Sequence, residues 1–392
     1  MQNYLNILGL PGDKGPELKA CSAYRVVWPL RALQRAGLGD FFVPPSVDGQ
    51  RTVMLNDDGR TDPMEPSLVN NYDLIVLQRQ PDKDVGELIR VCKRAGIKTV
   101  FDIDDSVLTI TPKNPNYVVW GRDLRKVRQL AVSYIRSGDV PEIIRGKNPD
   151  QVAEQAKTIR AGLLRNIRSA DLLTVTTPSL KDEYSMHNGN IVVLPNQMDT
   201  ERWDNLDAPE HPGRIWLTWA GGWTHRDDLA LIKQTVKHVI NRYPNVDLCL
   251  VGFDQAKEIV FGEIPSDRVV TFPWTPGVYT YRKYLAGADI ILAPSESTKF
   301  NESKSDIRIM EGWLAARAPA VASRTTYGAT IRESGGGYTA KNTRQWIQTL
   351  CRLIENEDLR KQMGQRGYDY VVSKRTYDMN VGLWYDAYSN LF

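Results

Sequence analysis

IILAPSESTKFNESKSDIRIMEGWLAARAPAVAS, residues 290–323, carries the reading of this chain. Two short apolar runs flank a polar loop and a segment of helical length. Runs of that kind read as buried parallel strands, and the helix between them as a crossover. The loop after the first strand then lies at the carboxyl end of a sheet, where open α/β proteins bind ligands. Ser303, Lys304, Ser305, Asp306 and Arg308 fall where the helix begins. A helix start offers unpaired N–H groups and a positive dipole end, which suits a phosphate. Glu311 follows one turn after Arg308, on roughly the same face. A carboxylate repels phosphate but accepts hydrogen bonds from ribose hydroxyls, so the pattern points to a nucleoside diphosphate. A solvated surface helix with an ordinary Arg308–Glu311 pair would carry the same residues. Its position after a buried strand favours the ligand site.

A second cluster has the same logic. TWAGGWTHRDDLALI (218–232) follows the apolar run RIWLTWAG. Gly221 and Gly222 let backbone approach a ligand closely. His225 and Arg226 stand before a helix for which Asp227 is the expected cap. The glycine turn, His225 and Arg226 form a second anion clamp that complements Lys304 and Arg308. Trp216 is expected in the core.

Working outward, strand-like runs alternate with helical ones: YLNILGL, YDLIVLQR (72–79), IKTVFDIDD (97–105), NIVVLPN (190–196), then VDLCLVGF and RVVTFPW. Helices are expected over 21–36, 84–95, 122–137, 151–168, 227–242, 278–286 and 306–317. The polar, proline-bearing stretch DNLDAPEHPGR near 205 reads as a linker. Two successive α/β domains with mostly parallel sheets follow, 1–205 and 206–375, with a C-terminal helical segment over 376–392.

Composition sets limits. Of 392 residues 42% are hydrophobic and 25% charged, as in ordinary globular proteins, and the formal net charge is only +3. That balance demands neither nucleic acid nor an anionic membrane. Four scattered cysteines and four histidines argue against a structural zinc site, so no metal is expected. The start, MQNYLNILGLPGDKG, lacks a signal-peptide pattern, and no run reaches a membrane span. A cytoplasmic location is expected.

Residues 218–323 resemble the donor domain of GT-B glycosyltransferases, most similar to the large retaining family 4-like group, through LTWAGGWTHRDDL, VDLCLVGF, ADIILAPS and NESKSDIRIMEGWLAARAPAVAS. CSAYRVVWPLRAL, VFDIDDSVLTI and LTVTTPSLKDEY resemble a divergent branch common in phages and surface-polysaccharide clusters. The resemblance implies two Rossmann-like domains facing across a cleft, with the C-terminal helix crossing back to the N-domain. It implies transfer of a sugar from a UDP-sugar, or a GDP-sugar, to a hydroxyl of a glycan, protein or hydroxymethylated DNA. Retention and independence of metal are implied with it. Glu311 matches the family's ribose-binding glutamate. The other glutamate of that pair would fall at 303, which is serine here, with Glu302 one place off register. Gly9, Pro11 and Gly12 match the first N-domain loop. A nucleotide-sugar 2-epimerase shares this architecture, and an inactive scaffold is a third reading.

FDIDDSVLTI (101–110) puts Asp102, Asp104 and Asp105 at the end of an N-domain strand. They serve as turn formers or as acceptor-orienting and catalytic carboxylates. A phosphatase-type DxDx[TV] motif fits less well, since Ser106 occupies its Thr/Val position. Tyr24 and Arg25, on the first helix, are expected acceptor contacts, with a core position the equal alternative for Tyr24 and burial open to Arg25 only if paired.

Overall fold

The computed structural model describes residues 4–13, 18–44, 69–138, 140–203, 206–275 and 277–392. It divides into two compact units. One comprises Met1–Pro195 with Val381–Phe392, the other Asn196–Asn380.

The first unit holds a six-stranded sheet: β1 Leu5–Leu10, β2 Gly39–Phe42, β3 Leu74–Gln78, β4 Lys98–Ile103, β5 Leu172–Val175 and β6 Ile191–Val193, in the order β2-β1-β3-β4-β5-β6. Every pairing is parallel. β3 is buried at each position, as a strand covered by helices on both faces must be. The first helix is not regular: Ala23–Val27 forms a π-helical turn between Ala20–Ser22 and Trp28–Arg35. An insertion between β4 and β5 carries the helices Leu124–Ser137 and Pro149–Ser169, which pack against each other.

The second unit has its own six-stranded parallel sheet: β7 Ile215–Ala220, β8 Val246–Val251, β9 Val269–Phe272, β10 Ile290–Ala293, β11 Ala320–Ser323 and β12 Gly337–Ala340. The order is β12-β11-β10-β7-β8-β9. The chain runs outward from β7 through β8 and β9, then returns to the other side of β7 with β10. That reversal, between β7 and β10, is the topological switch point where such sheets hold ligands. A separate core of aliphatic and aromatic side chains, including Trp219, Val236, Leu250 and Leu353, fills this unit.

The chain passes from the first unit to the second at Pro195–Asn196, eight residues before the polar stretch read as a linker begins at position 204. Residues 196–198 are hydrogen-bonded into the second unit: Met198 N–H donates to Arg375 O at 2.8 Å, and Tyr377 N–H to Met198 O at 3.2 Å. The final helix, Tyr377–Ser389, starts at this boundary, and its residues from Val381 onward belong to the first unit with Trp384 and Tyr388 buried. All four cysteines are free. Among the described residues, no helix is long and apolar enough to cross a membrane.

Candidate functional site

The switch point of the second unit brings both sequence clusters to one sheet edge. Gly221 and Gly222 follow β7, while Ser295 and Glu296 follow β10. Gly221 N–H donates to Val251 O at 3.0 Å, which lays the turn flat across the end of β8. Gly252 beyond it has φ +93°, and a Cβ there would lie 2.9 Å from Gly221 O. Only glycine satisfies both the backbone angle and that approach.

The helix expected over 306–317 spans Ile307–Ala316. Its N-cap residue, Asp306, makes no side-chain bond to the helix N–H groups. The carboxylate instead takes Arg375 in a bidentate pair, Nη1–Oδ2 2.7 Å and Nη2–Oδ1 3.0 Å, and accepts from Thr330 Oγ1 at 2.6 Å. Burial is the largest influence on Asp306, and it would raise the pKa. Arg375 and Thr330 outweigh it and hold the carboxylate below its usual range. Asp306, expected to touch the nucleotide, therefore anchors the helix start. Its neighbour Ser305 accepts from Asn196 Nδ2 at 3.0 Å. Ser303 is also corrected: it is fully buried and donates to Phe300 O at 2.8 Å. Glu302 is exposed at the end of the short helix Lys299–Glu302.

Arg308 is the cation that reaches the glycine turn. Its guanidinium lies 3.2 Å from where a Cβ on Gly221 would be, and sits over the Trp219 ring at 5.5 Å from the centroid. The buried indole N–H of Trp219 has no hydrogen-bond partner among the described residues. Lys304 Nζ sits 4.6 Å above the Phe300 ring. Glu311 is 8% exposed and accepts a hydrogen bond from Tyr281 O–H, a residue the sequence reading did not single out.

The cluster after β7 differs from expectation in two ways. Arg226 is half-exposed, and its Nε donates to Asp227 Oδ1 at 3.2 Å, so the expected basic ligand is tied to its neighbour. Asp227 lies inside the helix Arg226–Ala230 rather than capping it. His225 is not a cation: burial first, then Arg308 and Lys304, push its pKa down to about 4. Its Nδ1–H donates to Asp228 at 3.0 Å. Asp228 also accepts from Glu296 N–H and Asn301 Nδ2, each at 2.8 Å. One buried carboxylate thus joins the loop after β7 to the loop after β10.

In the first unit, Asp102 and Arg25 are 2% and 1% exposed. They form a bidentate pair, Nε–Oδ1 3.0 Å and Nη2–Oδ2 2.7 Å, with Thr174 donating to Asp102 at 2.6 Å. Neither presents a surface to an acceptor, and this corrects both expectations. Tyr24, 3% exposed, packs edge-on to Trp28 at 4.4 Å and is likewise enclosed. Asp104 and Asp105 stay partly exposed beyond β4, with Asp104 3.4 Å from Arg79. Gly12 N–H is occupied by Gln78 Oε1 at 2.7 Å, so this loop does not offer that donor to a phosphate.

No family model and no curated protein matches the chain. Its fold, however, is shared with solved structures over nearly full length. Sucrose-phosphate synthase (tll1590) from Thermosynechococcus elongatus superposes with a TM-score of 0.61 at 14% identity, covering 99% of each chain. Alr3699/HepE from Anabaena, in complex with UDP-glucose, gives 0.60 at 11% identity, covering 98% of this chain and 100% of that one. The fold is GT-B. It is also found in a putative UDP-N-acetylglucosamine 2-epimerase from Listeria monocytogenes, with a TM-score of 0.50, 10% identity and coverage of 97% and 94%.

Proposed function

We propose that this chain is a glycosyltransferase that takes a sugar from a nucleoside-diphosphate sugar, with UDP the favoured nucleotide, and passes it to an acceptor hydroxyl. The observation that carries the reading is the convergence at the β7–β10 switch point of a glycine turn, Arg308, a helix start without a side-chain cap, and the buried Glu311. The HepE complex with UDP-glucose supports the choice of nucleotide.

In this reading the diphosphate lies against Gly221, Gly222, the N–H groups at the start of Ile307–Ala316, and the cations Arg308 and Lys304. These charges are held in place before the reaction, so they stabilise the departing diphosphate without reorganising. Glu311, positioned by Tyr281, accepts from the ribose hydroxyls. Asp104 and Asp105 orient the acceptor. The sugar is transferred with retention, and the fixed cations take the place of a metal at the leaving group.

Isothermal calorimetry against UDP, GDP, ADP, TDP and CMP tests the donor site. One diphosphate is expected to bind saturably. Arg308→Ala and Glu311→Ala should each weaken it by about tenfold to a hundredfold, as expected for losing charge-assisted hydrogen bonds. Unchanged affinity in both variants overturns this assignment. The epimerase likeness supplies a second reading, separated by products: incubation with UDP-GlcNAc and no acceptor gives a 2-epimer only if that reading holds.

A further inference from the structure

Asparagine, aspartate and threonine at a helix start ordinarily turn a side-chain oxygen onto the first N–H groups of the helix. Thr298, Asn342 and Asn356 do so in the second unit, accepting from Asn301, Gln345 and Leu359 N–H. Each has the extended backbone of an ordinary cap. Asp306, at the start of Ile307–Ala316, is equally suited by residue type and makes no such bond. Its φ of −89° and ψ of 13° lie outside the extended region. Ile309 N–H donates back to Asp306 O at 3.2 Å, while the N–H groups of Ile307 and Arg308 have no hydrogen-bond partner among the described residues.

The partners of the carboxylate explain why it stays away from its own helix. Arg375, just past the end of the helix Glu357–Lys374, and Thr330, on the helix Arg324–Ser334, hold its two oxygens. Arg375 is itself fixed: Nη2 also donates to Asn196 O at 2.9 Å, and the side chain is only 14% exposed. A bidentate guanidinium binds a carboxylate more strongly than backbone N–H groups do. Without it, the charge compensation left to Asp306 is the positive end of its own helix. Turned there, the carboxylate occupies the N–H groups and sets a negative charge in front of them. A diphosphate would then meet filled donors and a like charge. Arg308, against the Gly221 turn and over the Trp219 ring, is a separate reason to expect an anion at this place.

We propose that Arg375 is a positioning residue for the nucleotide site, holding the Asp306 carboxylate off the start of Ile307–Ala316 so that its N–H groups stay open to the diphosphate. It acts through Asp306, and the inference rests on the donor-site reading above.

Calorimetric titration of the full chain with UDP, or with GDP if the wild type prefers it, tests the proposal. Arg375→Gln should weaken binding about tenfold, as Asp306 turns onto its own helix. Asp306→Ala/Arg375→Gln removes the carboxylate as well, and should recover most of the wild-type affinity. Arg375→Lys keeps a cation beside Asp306 and should fall between the wild type and Arg375→Gln. Repair by the second substitution separates positioning from support of the fold: a residue needed only for stability gives a double variant no better than the single one. Circular dichroism melts check the folding of each variant. If Arg375→Gln does not fold, Arg375→Lys with and without Asp306→Ala carries the same comparison. The proposal is overturned if Arg375→Gln binds as the wild type does, or if the double variant is as weak as the single one. A wild type that binds neither nucleotide overturns the donor-site reading and this inference with it, whereas a binding wild type without repair in the double variant overturns this inference alone.

Discussion

Asp228 accepts three hydrogen bonds, and the one from His225 fixes that ring's proton on Nδ1. The ring is mostly buried and feels the charges of Arg308 and Lys304, so a second proton is costly. Its pKa of about 4 lies below the ordinary 6.5. Between those values the unfolded chain binds a proton that the folded chain refuses, so stability falls as pH drops through the window. Urea unfolding should show the wild type losing stability more steeply than His225→Gln between pH 6.5 and 4. Parallel slopes would mean that His225 titrates normally in the fold. Other residues at the sites divide by the reach of their partners. The places of Arg308 and Glu311 on the helix after β10 were legible because a helical run after a buried strand has a definite position. Asp306 and Asp102 were not, because what decides their roles lies 69 and 77 residues away in Arg375 and Arg25. Local sequence contains no trace of either pairing, and a carboxylate bound for burial looks like one bound for a ligand.

At the scale of elements, the alternation of apolar runs and helices was sufficient for nine of the strands, while the short runs β2, β5 and β12 went unread. β2 and β12 are four-residue strands at sheet edges, with Gly39 and Gly337 at their starts. An edge strand is covered less completely and needs a weaker apolar signal, so composition barely distinguishes it from loop. The helix 227–242 also arrived in pieces, Trp223–His225, Arg226–Ala230 and Lys233–Arg242. The breaks let Asp228 and His225 turn to the sheet edge. Another helix depends on one missing side chain. Gly364, within Glu357–Lys374, lies so close to the backbone at Arg317 that a Cβ would fall 1.5 Å from its carbonyl oxygen. Backbone cannot yield as a flexible side chain does. Gly364→Ala should cost about 3 kcal/mol of stability by urea unfolding, at the upper end of ordinary overpacking. A loss below 1 kcal/mol, on the order of a single surface change, would show that the helix shifts to accommodate it.

Across the whole molecule, each unit has its own sheet and its own core, so each has grounds to melt as a cooperative body. The proposed nucleotide site lies wholly within Asn196–Asn380. Calorimetric scans with and without UDP should therefore show one transition rising, by about 2.7 kcal/mol of added stability at a hundredfold excess over Kd, while the other stays in place. Equal movement of both would place nucleotide contacts in the two units alike.

The first unit is assembled from two separated pieces of chain, with the whole of Asn196–Asn380 between them. During synthesis the intervening segment is therefore polymerised in full before Trp384 and Tyr388 are added, and those residues are buried parts of the unit that was begun first. The half started earliest is the half finished last. Until then its sheet waits without its closing helix, so a released chain truncated after residue 380 would carry the whole of the second unit joined to a first unit lacking Trp384 and Tyr388.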